Sequence, residues 1–95
     1  MTIATGAVTA VKSFHEIDTE ADAATDDLDT INGGNTGDIL IIKPENGSRT
    51  VVVKHATGNL RLDGGTDFSM SGIRNNITFI KSGTNWLELS RSSSV

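Results

Sequence analysis

Cysteine and tyrosine are absent from this 95-residue chain; proline and tryptophan occur once each and histidine twice. Without cysteine there is no disulfide framework and no thiolate metal site. No apolar run approaches the roughly 20 residues that a membrane-spanning helix needs. Met1 to Gly6 shows neither the basic stretch nor the apolar run of a secretory signal. These absences disfavour a membrane protein, a disulfide-rich secreted module, a zinc finger and a multi-domain enzyme. A chain this short buries only about 60–65% of the surface its unfolded form exposes, so its core is thin.

The charge is uneven. Residues 1–42 carry eight acids and one base, a net −7, and residues 43–95 carry seven bases and four acids, a net +3, together −4. Such asymmetry suits contact between copies or with a partner, although charge runs are most often solvated faces. The bases of the second half are scattered singly and the chain has four aromatics, so no nucleic-acid partner is expected.

Strand signals dominate. Residues 3–17 read as a first strand, with Val8, Val11, Phe14 and Ile17 as its apolar members. Residues 19–31 are the single helix candidate, because Ala21, Ala24, Leu28 and Ile31 share a helical face. From residue 37 onward short apolar runs alternate with turn residues. Asp38–Ile42 and Arg49–Lys54 are apolar on both faces and flank an Asn-Gly turn, which predicts a β-hairpin. Leu60 and Leu62, Phe68 and Met70, Ile77 to Lys81, and Trp86 to Leu89 supply further strands, with Ser82–Asn85 as a tight loop. Turns every 8–12 residues and no strict internal repeat predict an all-β sandwich or jelly roll rather than a propeller or solenoid. The expected organisation is one domain over 1–95. An arm or first strand covers 1–17, an acidic helix or turn segment 18–36, the sandwich core 37–91 and a flexible tail 92–95.

No catalytic constellation stands out. His15 and His55 read as surface or turn histidines. Gly33–Gly37 lacks the lysine of a phosphate loop and precedes a strand, where a phosphate site needs a helix. Asp26, Asp27 and Asp29 lack the spacing of a calcium loop. No enzymatic activity, cofactor or metal is therefore expected, and no membrane partner.

The stretch Ile31–Arg91 resembles a small β module of tailed-bacteriophage virion proteins, found at the ends of tail spikes and tail fibres. The residues that carry the resemblance are Ile31-Asn32-Gly33-Gly34, Gly37-Asp38 with its apolar strand, and Thr50-Val51-Val52-Val53. Gly58-Asn59-Leu60 to Gly65, Ile77 to Ile80 and Gly83-Thr84-Asn85-Trp86 to Arg91 complete it. The resemblance implies a virion location, a structural role and threefold assembly, with no catalytic residues to transfer. A lone small module fits a capsid decoration or cement protein, its partners being copies of itself and a major capsid or other virion protein. The alternative is a receptor- or glycan-binding tip on a fibre or spike, with a host glycan as partner.

Assembly also has a physical argument. The expected core and interface residues are Ile39, Leu40, Ile41, Ile42, Val51, Val52, Val53, Leu60, Leu62, Ile77, Phe79, Trp86 and Leu89. A two-layer fold covers one face of each strand, which leaves the second apolar face for a neighbouring subunit, unless a central strand is covered within one subunit. Burying roughly 800 Å² per subunit, about 60% of it apolar, at about 25 cal/mol per Å², gives a gross term near ~12 kcal/mol. That is comparable to the whole stability of a small domain.

Overall fold

The computed structural model describes residues 1–94. It contains ten strands and two short 3-10 turns, at Glu20–Asp22 and Asp63–Gly65. The strands are β1 (Ala7–Thr9), β2 (Phe14–Ile17), β3 (Thr25–Leu28), β4 (Thr30–Asn32), β5 (Ile39–Pro44), β6 (Thr50–Val53), β7 (Leu60–Arg61), β8 (Phe68–Met70), β9 (Asn76–Ser82) and β10 (Asn85–Ser92).

The all-β class holds, but the arrangement is a β-solenoid of about three turns, not a sandwich. The chain circuits β1, β2 and β3, then repeats the circuit as β4, β5 and β6 directly above. β1 lies parallel to β4, β2 to β5 and β3 to β6. The last third closes the stack. β8 runs antiparallel on β6, β9 antiparallel on β5, and β10 returns along β9 with β7 at its far edge. Three sheets of two, five and three strands result.

The repeat escaped the sequence because its length is not constant. Paired positions lie 23 residues apart for Ala7 and Thr30, 27 for Phe14 and Ile41, and 25 for Thr25 and Thr50. Stacked backbones need parallel strands in register, while corners of unequal length are free to take up the difference. The expected hairpin of 38–42 with 49–54 is likewise absent: β5 and β6 lie in different sheets, each paired to strands of other circuits. The Glu45–Arg49 stretch turns the chain around a corner instead of reversing it, with Arg49 N–H donating to Asn46 O and Ser48 N–H to Asn46 Oδ1.

The helix expected over 19–31 is replaced by the first 3-10 turn and by β3 and β4. Ala21 and Asp22 have φ of 54° and 58°, and a left-handed residue cannot extend a right-handed helix. β3 then gains a complete ladder on β6, worth more than a helical face half made of alanine. Only Leu28 and Ile31 of that face are buried. The first strand is also divided: Val8 and Ile17 are buried, Val11 and Phe14 exposed. The N-terminal residues are no separate arm, since Ile3, Val8 and Ile17 belong to the one core that continues to Trp86. The polar tail expected from residue 92 starts later, because Ser92 still belongs to β10, paired with Asn76; Val95 lies outside the described residues.

Core side chains point into the tube from all three sheets. Along β5, Leu40 and Ile42 are fully enclosed while Ile39 and Ile41 face out, the period-2 alternation of a strand. Two glycines are required by close approach. A Cβ on Gly34 would lie 2.8 Å from the Trp86 ring, and one on Gly58 would collide with the Asp29 carbonyl.

Candidate functional site

The outer face of the five-stranded sheet carries most of the exposed large hydrophobic side chains. Among the described residues seven are exposed: Val11, Phe14, Ile39, Ile41, Ile73, Leu87 and Leu89. Five of the seven, Phe14, Ile39, Ile41, Leu87 and Leu89, belong to β2, β5 and β10 of this one sheet. Register joins them. Ile39 stands opposite Ile80, which stands opposite Leu87, and Phe14 stands opposite Ile41, whose other neighbour is Thr78. Leu89 projects from the irregularity between Glu88 and Ser90. Scattered exposed hydrophobes need no explanation; a contiguous set on one sheet does.

Charged groups frame this face. Beyond Phe14 and Ile41, Glu16 and Lys43 pair at 3.2 Å. Beyond Leu87 lies Arg61, whose guanidinium donates to the Gly58 and Leu60 carbonyls. Underneath, Glu88 points inward and is held by Arg91 at 2.7 Å. The Arg91 bond keeps the Glu88 carboxyl below its ordinary range against the opposing effect of burial, helped by the Asp63 N–H.

Of the residues expected to form core and interface, most serve the core. Leu40, Ile42, Val51, Val53, Leu60, Leu62, Ile77, Phe79 and Trp86 are buried inside the tube. Val52 is half-buried. Ile39, Ile41 and Leu89 alone among them stand on the outer face. Phe14 and Leu87 were missed as members. Asp38–Ile42 is apolar on both faces in the sequence, and neither the outward turn of Ile39 and Ile41 nor the pairing that puts β2 beside β5, with β10 beyond β9, is written in it.

The quoted motif residues converge elsewhere. The Asn59 side chain accepts from Ile31 N–H at 2.9 Å and donates to Ile31 O at 2.8 Å. Trp86 Nε1 donates to the same oxygen at 3.1 Å, and Trp86 N–H donates to Asn59 O. Ile31, Asn59 and Trp86 thus form one knot, with Ile31 and Trp86 buried and Asn59 half-buried; Gly34 makes room for the Trp86 ring. Their spacing in the sequence serves the fold. No family model, curated protein or solved structure matches this chain.

Other candidate positions resolve as follows. A groove of about 340 Å³ runs between Ala10–Ser13 and Gly34–Ile39, with Trp86 at its base. Its polar members Lys12, Ser13, Asn35 and Asp38 are exposed. Among the described residues no three His, Asp or Glu side chains converge on a point. Asp26 and Asp27 are adjacent in β3 and so project to opposite faces. Asp26 accepts from Glu20 N–H. Asp18 is tied to Arg49 at 2.9 Å, which with the Thr19 N–H holds its carboxyl below the usual range.

His55 lies in a bend, in keeping with the surface or turn reading, whereas His15 departs from it. His15 is buried, and its Nε2 accepts from Val11 N–H at 3.1 Å. Burial, with Lys12 and the N-terminal amine nearby, lowers its pKa from the ordinary imidazole value. His55 Nδ1 accepts from Leu62 N–H at 2.9 Å, fastening the corner that precedes β7.

Proposed function

We propose that this chain is a non-enzymatic structural module of a virion surface, a capsid decoration or cement protein that assembles with copies of itself as a homotrimer. The observation that carries the self-assembly is the apolar outer face of Phe14, Ile39, Ile41, Leu87 and Leu89. Five such side chains, 36% to 56% exposed and offering roughly 80 Å² each, supply about 400 Å² of apolar surface. A standard interface of about 800 Å² per partner that is about 60% apolar needs some 480 Å². The face is therefore close to what a stable contact between copies requires. Three flat sheets turned inward close a triangular prism with a dry interior, and the charged groups at the margins remain in water. The virion setting and the threefold rest on the resemblance of Ile31–Arg91 to tail-spike and tail-fibre modules.

Light scattering and sedimentation at micromolar concentration test this reading, with a trimer mass expected. A clean monomer up to about 100 μM, well above the Kd of a stable contact, overturns it. Quantitative mass spectrometry of purified virions is expected to give many copies per particle.

A second reading, a glycan-binding tip, draws on the groove between Ala10–Ser13 and Gly34–Ile39. Its exposed Asn35, Asp38, Ser13 and Lys12 offer hydrogen bonds to hydroxyls beside the apolar Val11 and Ile39. Trp86 is buried and offers no stacking platform. A reproducible saccharide hit on a glycan array, lost in Asp38→Ala, favours this reading; low copy number on the particle points the same way.

A further inference from the structure

We propose that His15 is an acid-released latch at the margin of the assembly face, holding Val11 and Lys12 of segment 10–13 in place only while its imidazole is neutral. The inference rests on the reading of that face as the contact between copies and names how the contact is regulated. Alternation along β2 turns Phe14 outward onto the face and His15 inward. The inward ring reaches back four residues and accepts the Val11 N–H at Nε2. Only a ring with a bare Nε2, and hence its proton on Nδ1, can do so. An imidazolium carries N–H groups at both nitrogens and confronts the Val11 N–H with another donor. The bond is then lost and two donors oppose each other in a half-buried place, an outcome more costly than losing the bond alone.

Charges around the ring act in the same direction. Lys12 approaches from the latched segment and the N-terminal amine from the first residues, which run beside β2. Both are cations. The nearest acid in sequence, Glu16, alternates to the outer side and is paired with Lys43. Glu45 lies 3.8 Å from the N-terminal amine, and Asp38, lining the groove with Val11 and Lys12, accepts from Asn35 N–H. Backbone bonds hold both ends of the segment, Ala10 N–H on Asn32 O and Ile41 N–H on Ser13 O, so acid frees only Val11 and Lys12 between them. These two lie beside Ile39 in the groove, at one margin of the apolar face, and their release disturbs that margin.

The test follows oligomer mass by sedimentation, and Val11 and Leu62 amide protection by NMR hydrogen exchange, from about pH 7.5 to about pH 5. The chain and its His15→Gln variant are compared. A glutamine oxygen accepts the Val11 N–H without titrating. In the parent chain Val11 protection is expected to fall about tenfold, the worth of one hydrogen bond, and the trimer to dissociate. The variant is expected to keep Val11 protected and the trimer intact at the lower pH, while Leu62, remote from the substitution, behaves alike in both. Flat Val11 protection in the parent, or a variant that follows the parent, overturns the latch. Should His15→Gln fail to fold, ¹⁵N shifts of the parent decide: Val11 is expected to shift with the His15 titration, and indifference to it overturns the proposal. A chain monomeric at every pH removes the assembly face and this regulation of it. An assembling chain whose Val11 ignores pH removes the latch alone.

Discussion

The side chain of Asn59 pairs with the backbone of Ile31 as a neighbouring strand would, accepting its N–H and donating to its carbonyl at 2.9 and 2.8 Å. β4 has β1 on one side only, so the carboxamide supplies one rung where the third circuit has no strand. Asn59→Ala leaves a fully buried residue with an unpaired N–H. The expected cost is about 2 kcal/mol, or about 10 °C in Tm for a domain of this size, read by calorimetry. Asn59→Asp keeps the acceptor and loses the donor, and is expected to fall between. A change in Asn59→Ala within experimental error would show that water replaces the rung.

Gly34 bears on the same knot. Its φ is 75° and a Cβ would lie within 2.9 Å of two Trp86 ring atoms. Gly34→Ala is expected to destabilise by about 2 kcal/mol, combining left-handed strain with overpacking. A urea midpoint lowered at unchanged m-value checks it; Gly37→Ala, where a Cβ meets nothing, isolates the backbone contribution.

Charge on the outer face is expected to separate copies without unfolding them. Ile41 and Leu87 are about one-third exposed at 36% and 37%, so a glutamate there reaches water. The double variant Ile41→Glu, Leu87→Glu is expected to run as a monomer in sedimentation. Its far-UV circular dichroism is expected to match the parent. Retention of the oligomer would move the contact to another surface.

Stability is expected to fall in acid in two steps. His15 has its pKa lowered in the fold, so its contribution is complete above the ordinary value of 6.5 and is lost as pH falls through the folded value. The carboxyls of Asp18, Asp67 and Glu88 are held low chiefly by hydrogen bonds from Arg49, Lys54 and Arg91. Their contribution is intact above the ordinary values, 3.8 for aspartate and 4.5 for glutamate, and is lost as pH drops through the folded ones. Thermal melts between pH 7 and pH 2 check this. Asp18→Asn is expected to lower Tm by about 5 °C at neutral pH, with the gap to the parent closing below the aspartate range. A gap that persists unchanged into acid would mean that packing, not charge, is what Asp18 supplies.

The amino-acid sequence by itself determined the all-β class, the position of most later strands and the apolar content of the core. These are local properties: short runs rich in β-branched residues, and turns rich in glycine and asparagine; the helical face read over 19–31 was a local signal that the fold overrode. It also placed Leu40, Ile42, Val51, Val53, Phe79 and Trp86 among the candidate buried residues, because strand alternation and size govern which side chains leave water. Tertiary structure alone decided which strand lies beside which. Two apolar strands flanking an Asn-Gly turn carry the same local signal whether they pair as a hairpin or pass around a corner. Pairing β5 with β2 and β9, across 27 residues in one direction and the far third of the chain in the other, depends on closing the tube over a shared core. The same closure turned Phe14 outward beside Ile41, and Leu87 outward across Ile80 from Ile39. It also brought His15 under Val11 and made one knot of Ile31, Asn59 and Trp86, for lateral neighbours in a stacked coil are set by the length of each circuit and by no residue within it.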